Sequence, residues 1–515
     1  MEDPNDMAQA IYIKEGIIKK VGTLEEIQKL ETPKTKKVDL KGKTLMPSFI
    51  DAHSHLTAFA QVLGIVDLKE CTNFDKIKEK LLDYKNKNKI KKDEWIIGFG
   101  YDHNFLKEKT HPDKYMLDEI LNENPVVITH TSGHMGVVNT KGLEILNINK
   151  QTKSPEGGTI GRINNTNEPN GYLEETAFVK NLSNVINFDL KKYTILIKKA
   201  INEYLKNGIT TIQDGLTKKK EWDILKNISK NHHLEPDIIC YIDIKENSDI
   251  LENNKDYLKK YNNKLKIGGY KLILDGSPQG KTAWLTKPYE GEKEYRGYGV
   301  YKDEEVINYV KKSLEENVQL LTHCNGDAAS DQLIKAYEKQ NNLNKNERPV
   351  MIHAQTVRYD QLDKMKDLNI IPSFFITHIY YWGDIHIKNL GKRANKISPA
   401  NYAKKLGLKY TFHQDTPVLN PNILEMVHVA VNRKTKSQKT LGEEEKISVF
   451  DALKAVTINA AYQYFEEDKK GSIKEGKLAD LVILDKNPLK VPKEEIKNIN
   501  VLETLKEGKT CYKRD

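Results

Sequence analysis

Two histidines separated by one residue close the first strongly apolar run of this chain. His53 and His55 follow the run 48–52. Side chains alternate along a β-strand, so positions i and i+2 point the same way. The pair would therefore project together from the end of a strand, where two imidazoles can hold one cation. For an isolated pair, two polar residues at a strand end is the simpler interpretation.

Single metal-capable residues recur at the ends of later apolar runs. Taken one at a time, each later histidine is explained by a hydrogen bond to a loop, but together the set favours a metal centre. Imidazole and carboxylate suit Zn²⁺ best, and they also accommodate Fe²⁺ or Mn²⁺. These residues are Lys271, His323, His353 and Asp415.

The elements that carry these residues are short apolar strands separated by longer helical stretches. This alternation predicts an α/β fold with a parallel sheet, and eight strands are enough for a (β/α)8, TIM-like barrel. Active sites of that fold lie at the carboxyl ends of the strands, where the metal-capable residues fall. The predicted strands are 46–52, 209–213, 238–242, 269–274, 318–323, 350–353, 370–374 and 409–413.

The two ends of the chain are β-rich, and the stretch after His55 departs from the barrel pattern. Short strands with glycine turns at both ends predict one composite β-sandwich formed by 1–45 and 468–515. The barrel is predicted over 46–60 and 190–467. Residues 61–189 are predicted to form an inserted α+β subdomain.

The composition indicates which binding partners and which cellular compartment to expect. The net charge of +9 over 515 residues is spread along the chain, which argues against nucleic acid or a membrane as partner. The four cysteines form no C-x-x-C pair, as is typical of a reducing compartment. We find no signal-peptide pattern and no apolar run approaching about 18 residues, so we expect a cytoplasmic protein.

Three motifs show a resemblance to a known family. Residues 271–277 read K-x-x-x-D-G-S, residues 323–327 read H-x-x-G-D, and 471–480 match a C-terminal pattern specific to amidohydrolases. The chain resembles the amidohydrolase superfamily, in the branch called amidohydrolase family 3. The resemblance implies a barrel, a β-sandwich built from both chain ends, and a large insertion after the first barrel strand.

The resemblance also implies a site with two divalent ions. In two-metal amidohydrolases the lysine that corresponds to Lys271 reacts with CO₂ to form a carbamate that bridges both ions. One ion would then be held by His53, His55, carboxylated Lys271 and Asp415. The other would share Lys271 and be held by His323 and His353. Asp415 would serve as general base and acid for a metal-bridging hydroxide.

Substrate contacts and substrate class follow from the same resemblance. His134 and His378 resemble substrate-contacting histidines of the family, and Trp284 is expected near the barrel mouth, with a structural role as the alternative for each. The expected activity is hydrolysis of non-peptide C–N bonds in a small amide, an N-acyl amine or an N-formyl amine. Hydrolysis of a cyclic amide, imidine or lactone is one alternative, and a catalytically silent binding or regulatory protein is another. The partner would be a small molecule, and the sequence allows a homodimer.

Overall fold

The structure of this protein is a computed structural model with two compact units. It describes residues 3–5, 7–103, 105–130, 133, 135–156, 158–185, 190–231, 234–340 and 345–515. One unit comprises Met1–Thr57 with Ala200–Asp515, and the other comprises Ala58–Lys199. The predicted domain boundaries stay a prediction.

Twenty strands are found within the described residues. The first ten are β1 (Ala10–Lys14), β2 (Ile17–Gly22), β3 (Thr44–Pro47), β4 (Phe49–Ile50), β5 (Val66–Asp67), β6 (Ile96–Tyr101), β7 (Val126–His130), β8 (Met135–Val138), β9 (Gly158–Arg162) and β10 (Pro169–Glu175). The others are β11 (Ile209–Thr217), β12 (Asp237–Asp243), β13 (Leu265–Ile273), β14 (Gln319–Cys324), β15 (Val350–His353), β16 (Ile371–Phe374), β17 (Thr411–Phe412), β18 (Leu481–Leu484), β19 (Val501–Lys506) and β20 (Lys509–Lys513).

Seventeen α-helices lie in the same described ranges. The first nine are α1 (Leu24–Gln28), α2 (Leu56–Leu63), α3 (Phe74–Asn88), α4 (Lys114–Leu121), α5 (Thr140–Ile145), α6 (Thr176–Val185), α7 (Leu190–Lys206), α8 (Lys219–Asn231) and α9 (Asp249–Glu252). The others are α10 (Asp303–Glu315), α11 (Asp327–Glu338), α12 (Tyr359–Asp367), α13 (His378–Leu390), α14 (Ala400–Lys405), α15 (Ile423–Asn432), α16 (Val449–Ala455) and α17 (Ile458–Gln463). Short 3₁₀ turns occur at Lys255–Tyr257, Lys345–Glu347, Gly391–Lys396, Glu443–Glu445 and Lys493–Asn498.

Eight parallel strands form the sheet that carries the candidate site. Their order is β4, β11, β12, β13, β14, β15, β16, β17, and each neighbouring pair is parallel. His55 N donates to Thr416 O at 2.8 Å, which joins the segments that follow the first and the last strand. Every residue of β12 is buried, as expected when helices cover the outer face of a parallel sheet. The predicted TIM-like barrel fold is confirmed.

The two chain ends meet in a side domain of two sheets. β3 pairs antiparallel with β18, and β19 and β20 extend that sheet, while β1 and β2 form a separate hairpin. Apolar residues of both sheets share one core around Ile18, Ala479 and Leu481. The predicted strand 46–52 divides at Ser48, because 44–47 belongs to the side sheet and 49–50 to the barrel.

The second unit contains a mixed six-stranded sheet of its own. The strand order is β5, β6, β7, β8, β10, β9, with β5, β6 and β7 parallel and the other pairs antiparallel. Asn73 caps the start of α3, because its side chain accepts from Lys76 N, and the helix buries Ile77 and Leu81, four residues apart, in the core of this unit.

Among the residues that the structure describes, no helix has the length and apolar character needed to span a bilayer.

Candidate metal centre

The predicted ligands come from five barrel strands and gather at their carboxyl ends. Lys271 lies near the end of β13, His323 near the end of β14, and His353 is the last residue of β15. His53 and His55 follow β4, and Asp415 follows β17. The structure therefore brings together all six residues, as the barrel topology requires.

Asp415 is the centre of one half of this cluster. Its Oδ1 lies 3.4 Å from His53 Nε2 and 3.2 Å from His55 Nε2. Lys271 Nζ lies 3.2 Å from His53 Nε2. Donor atoms of His53, His353 and Asp415 all lie within 4.8 Å of one another, a spacing that one metal ion can span.

A chain of three imidazoles forms the other half. His323 Nδ1 lies 3.0 Å from His353 Nε2, and His353 Nδ1 lies 3.1 Å from His413 Nε2. His413 in turn contacts Ser373 Oγ at 2.8 Å. His353 therefore connects the deeper His413 to His323, which is the more exposed end of the chain.

The tautomers of His53 and His55 leave lone pairs facing the carboxylate. His53 Nδ1–H donates to Gln213 Oε1 at 2.6 Å, and His55 Nδ1–H donates to the Gly215 carbonyl at 2.7 Å. In the neutral rings both Nε2 atoms are then unprotonated. Among the described residues, the buried Asp415 Oδ1 has no partner at hydrogen-bonding geometry. Two lone pairs and a carboxylate oxygen around one point suit a cation, so these residues fit a divalent ion.

Two of the cluster residues adopt uncommon backbone conformations. The φ angles are +72° at His353 and +53° at Asp415, in the left-handed region that non-glycine residues seldom occupy. Such residues concentrate at active sites, where the surrounding structure holds them. The surrounding structure must therefore hold the backbone at these two predicted ligands.

Comparison with known proteins assigns the family. The model of the amidohydrolase family matches residues 36–512, which is nearly the whole chain. This protein belongs to the amidohydrolase family. Membership confirms the predicted class of enzyme, a hydrolase that acts on C–N bonds.

Individual relatives match over almost their full length. The N-substituted formamide deformylase of Arthrobacter pascens is 26% identical, over 99% of this chain and 96% of that protein. The protein LONG AFTER FAR-RED 3 of Arabidopsis thaliana is 28% identical, over 98% of this chain and 88% of that one. The crystal structure of an uncharacterized metal-dependent hydrolase from Pyrococcus horikoshii OT3 has a TM-score of 0.76 and 26% identity, covering 94% of both chains.

Burial and neighbouring charges together shift the pKa values of this amidohydrolase's cluster. It lowers the pKa of His323 to about 4 and that of Lys271 to about 7. It also lowers the pKa of His53, helped by the charge of Lys271. At His55 burial is outweighed by Asp415, so the pKa is raised. The histidines also hold the pKa of Asp415 well below its usual value, although burial opposes them.

Gln213 contacts a predicted ligand, and the sequence did not reveal it. Its Nε2 donates to Ala52 O at 2.8 Å and to Tyr464 OH at 2.7 Å, which fixes Oε1 toward His53. In the sequence, Gln213 is the polar last residue of the predicted strand 209–213, and this position could have indicated a role near the ligands. Gly215 is constrained as well, because a Cβ there would lie 2.8 Å from His53 Cε1. Both residues set the orientation of a predicted ligand.

Gln213→Leu is expected to weaken metal binding by roughly 10–100-fold, the usual effect of losing the partner of a ligating histidine. Gln463→Leu is the matched control, because Gln463 is also buried and donates to Ala52 O, yet its Oε1 accepts from Thr411 Oγ1. Titration of metal-free protein with Zn²⁺ measures both affinities. Equal affinities in the two variants would show that Gln213 does not act through His53.

Two of the three predicted substrate-contacting residues, His378 and Trp284, lie within the described part of the chain. His378 is buried at the start of α13, packs on Phe375 with a centroid separation of 4.5 Å, and faces His386 Nε2 at 3.1 Å from its Nδ1. Phe375 in turn lies 5.4 Å from the ring of His413. Trp284 N donates to Asp275, and its ring lies against Gly299. His134 lies outside the described residues, and all three roles stay predictions.

Proposed function

We propose that this chain is a two-metal hydrolase of small non-peptide amides, with N-formyl and N-acyl amines as the substrate class. The observation that carries the proposal is the convergence of four imidazoles, a buried lysine and a carboxylate at one end of the barrel. Within this set Asp415 Oδ1 lacks a partner at hydrogen-bonding geometry. This oxygen faces the Nε2 atoms of His53 and His55, which is where a cation would be held.

The chain supplies ligands for two ions. His53, His55 and Asp415 would hold one ion, and His323 and His353 would hold the other, with Lys271 shared after carboxylation. Zn²⁺ is the preferred ion for this donor set, and Fe²⁺ or Mn²⁺ also suits it. When bound, the two ions lower the pKa of a water molecule and polarise the substrate carbonyl.

Lys271 has the properties needed to react with CO₂. Its ammonium form has no lone pair, whereas the neutral amine is a nucleophile. Burial lowers the pKa of Lys271 to about 7, so a large share of the side chain is neutral near that pH. Attack of Nζ on CO₂ forms an N–C bond and releases one proton, which leaves a carbamate with two oxygen donors and one negative charge. A cation-repelling group thereby becomes a ligand.

Asp415 is the residue that moves the proton. Burial opposes the shift, but the neighbouring histidines hold the pKa of Asp415 well below its usual value, so the carboxylate is ionised. One Oδ would take the proton of the attacking water, and Asp415 would then donate that proton to the leaving nitrogen. An amine leaving group requires this protonation. His378, beside Phe375, and Trp284 are the described residues that we propose to contact the substrate.

The substrate class draws support from one relative. The protein from Arthrobacter pascens is by name a deformylase of N-substituted formamides, and its 26% identity extends over 99% of this chain. The partner that we propose for this chain is therefore a small-molecule substrate.

A panel of substrates tests the proposed activity. Purified protein loaded with Zn²⁺ is incubated with matched N-formyl, N-acetyl, cyclic-amide and lactone compounds, and release of amine and acid is measured. We expect turnover of N-formyl or N-acetyl amines, with Asp415→Asn as the inactive control. Turnover of only the lactones or cyclic amides would contradict the proposed substrate class, and turnover of none would favour a silent member of the family.

A further inference from the structure

A second group of metal-type side chains lies in the inserted unit, within the sheet β5–β10. Asp102 and His103 directly follow β6, and His130 is the last residue of β7. These strands are parallel neighbours, with Tyr101 opposite His130 in the register. Ligands of open α/β sheets bind beyond the carboxyl ends of parallel strands, which is where these three residues meet.

The three donor atoms are spaced like the corners of a coordination tetrahedron. His103 Nδ1 lies 3.3 Å from His130 Nε2, His130 Nε2 lies 3.5 Å from Asp102 Oδ1, and His103 Nδ1 lies 3.9 Å from Asp102 Oδ1. In a tetrahedral zinc site with bonds of about 2.0–2.1 Å, neighbouring ligand atoms are roughly 3.3–3.4 Å apart. Two of the three separations are close to this value, and the third needs a small side-chain movement.

The surroundings orient these side chains. The ring of His111 stacks on His103 with centroids 4.0 Å apart, and Tyr101 OH lies 3.0 Å from His111 Nδ1. The strand is irregular between Phe99 and Tyr101, where Gly100 has a φ of +103°. A bulge of this kind redirects the residues after it and is common beside functional sites.

We propose that Asp102, His103 and His130, which all belong to the inserted unit, form a further metal site for Zn²⁺-type divalent ions. Two imidazole nitrogens and one carboxylate oxygen are a common zinc donor set, and such three-residue sites keep a fourth position for water or another ligand. The side chains of His103 and Asp102 are 29% and 21% exposed, so solvent reaches the site. An ion there is expected to exchange with chelators in solution.

Metal content of the full-length chain tests this site independently of the barrel. In a His53→Ala/His353→Ala background the barrel loses its own ions, and dialysis against buffered free Zn²⁺ should leave about one zinc per chain by elemental analysis. Adding His103→Asn or His130→Asn should weaken that residual binding by about 100-fold or more, since losing only the partner of a ligand already weakens it by roughly 10–100-fold. Adding His428→Asn, a histidine on α15 that contacts Lys493 O, should leave it unchanged.

Thermal denaturation provides a second readout that separates binding from folding. Zn²⁺ should raise the Tm of the barrel-deficient protein and should not raise it once His103 or His130 is replaced. His103→Asn is the safer variant, because this side chain is the most exposed of the three. A barrel-deficient protein that holds no zinc, or one whose zinc is indifferent to both His103→Asn and His130→Asn, would overturn the proposal and leave a hydrogen-bonded histidine cluster.

Discussion

Lys271→Ala is expected to release most of the barrel metal and to lower turnover at least about 100-fold, since losing only the partner of a ligand already has an effect of that size. The reason is charge. An ammonium 4 Å from a divalent ion is repelled by about 4 kcal/mol per unit charge even at an effective dielectric of 20, so native Lys271 must be neutral or converted to an anion. Alanine can supply neither the amine nor the carbamate. Elemental analysis and initial rates measure the two effects.

Rescue by added carboxylates tests whether Lys271 supplies a ligand. Acetate or propionate at high concentration should restore part of the metal and part of the rate by occupying the vacated position in Lys271→Ala. Lys266→Ala is the matched control, because Lys266 is a buried lysine of the same strand β13 that pairs with Glu466. It should keep its metal and show no rescue. A Lys271→Ala protein that holds both ions and works normally without added carboxylate would exclude Lys271 as a ligand.

Asp415→Asn separates proton transfer from metal binding. The amide keeps the size of the side chain and one oxygen donor, but it no longer accepts a proton at neutral pH. Metal should largely remain, while kcat falls by roughly 10²–10⁴, the range typical of a lost general base. The effect should be largest for substrates with poor amine leaving groups, which depend most on protonation of nitrogen.

Asp214→Asn controls for loss of a buried carboxylate. Asp214 is fully buried and accepts hydrogen bonds from the backbone N–H and the hydroxyl of Thr57. We expect it to alter stability but to change kcat by less than about tenfold, because Asp214 is not a proposed ligand or proton carrier and its oxygens accept from Thr57 and Thr217. If Asp415→Asn lost no more activity than Asp214→Asn on a poor leaving group, Asp415 would not be the general base.

The barrel was predictable because its strands are buried on both faces. Runs such as 238–242 and 350–352 are apolar without interruption, and glycine or polar stretches separate them, so their number and order could be read from the chain. Strand ends were harder to locate. The run 46–52 looks continuous, yet Ser48 divides it between two sheets, and this division depends on pairing with β18 far along the chain.

The positions of the candidate ligands were predictable, but the residues that orient them were not. A ligand at a strand end follows from residue type and barrel topology alone. Gln213 acts through a hydrogen bond to His53, 160 positions away in sequence, and no local pattern encodes such a contact. His103 likewise gave no usable pattern, because its proximity to His130 depends on β6 pairing with β7.

Removal of the metal tests the central claim most directly. The chain is stripped with a chelator, freedom from metal is confirmed by elemental analysis, and hydrolysis of an N-formyl amine is followed while Zn²⁺ is added back. His103→Asn protein is used so that ions bound to the barrel alone are counted. We predict a negligible rate without metal and full recovery at about two ions per chain, the number that the two-metal site requires. A metal-free protein that hydrolyses its substrate at the full rate would contradict the account.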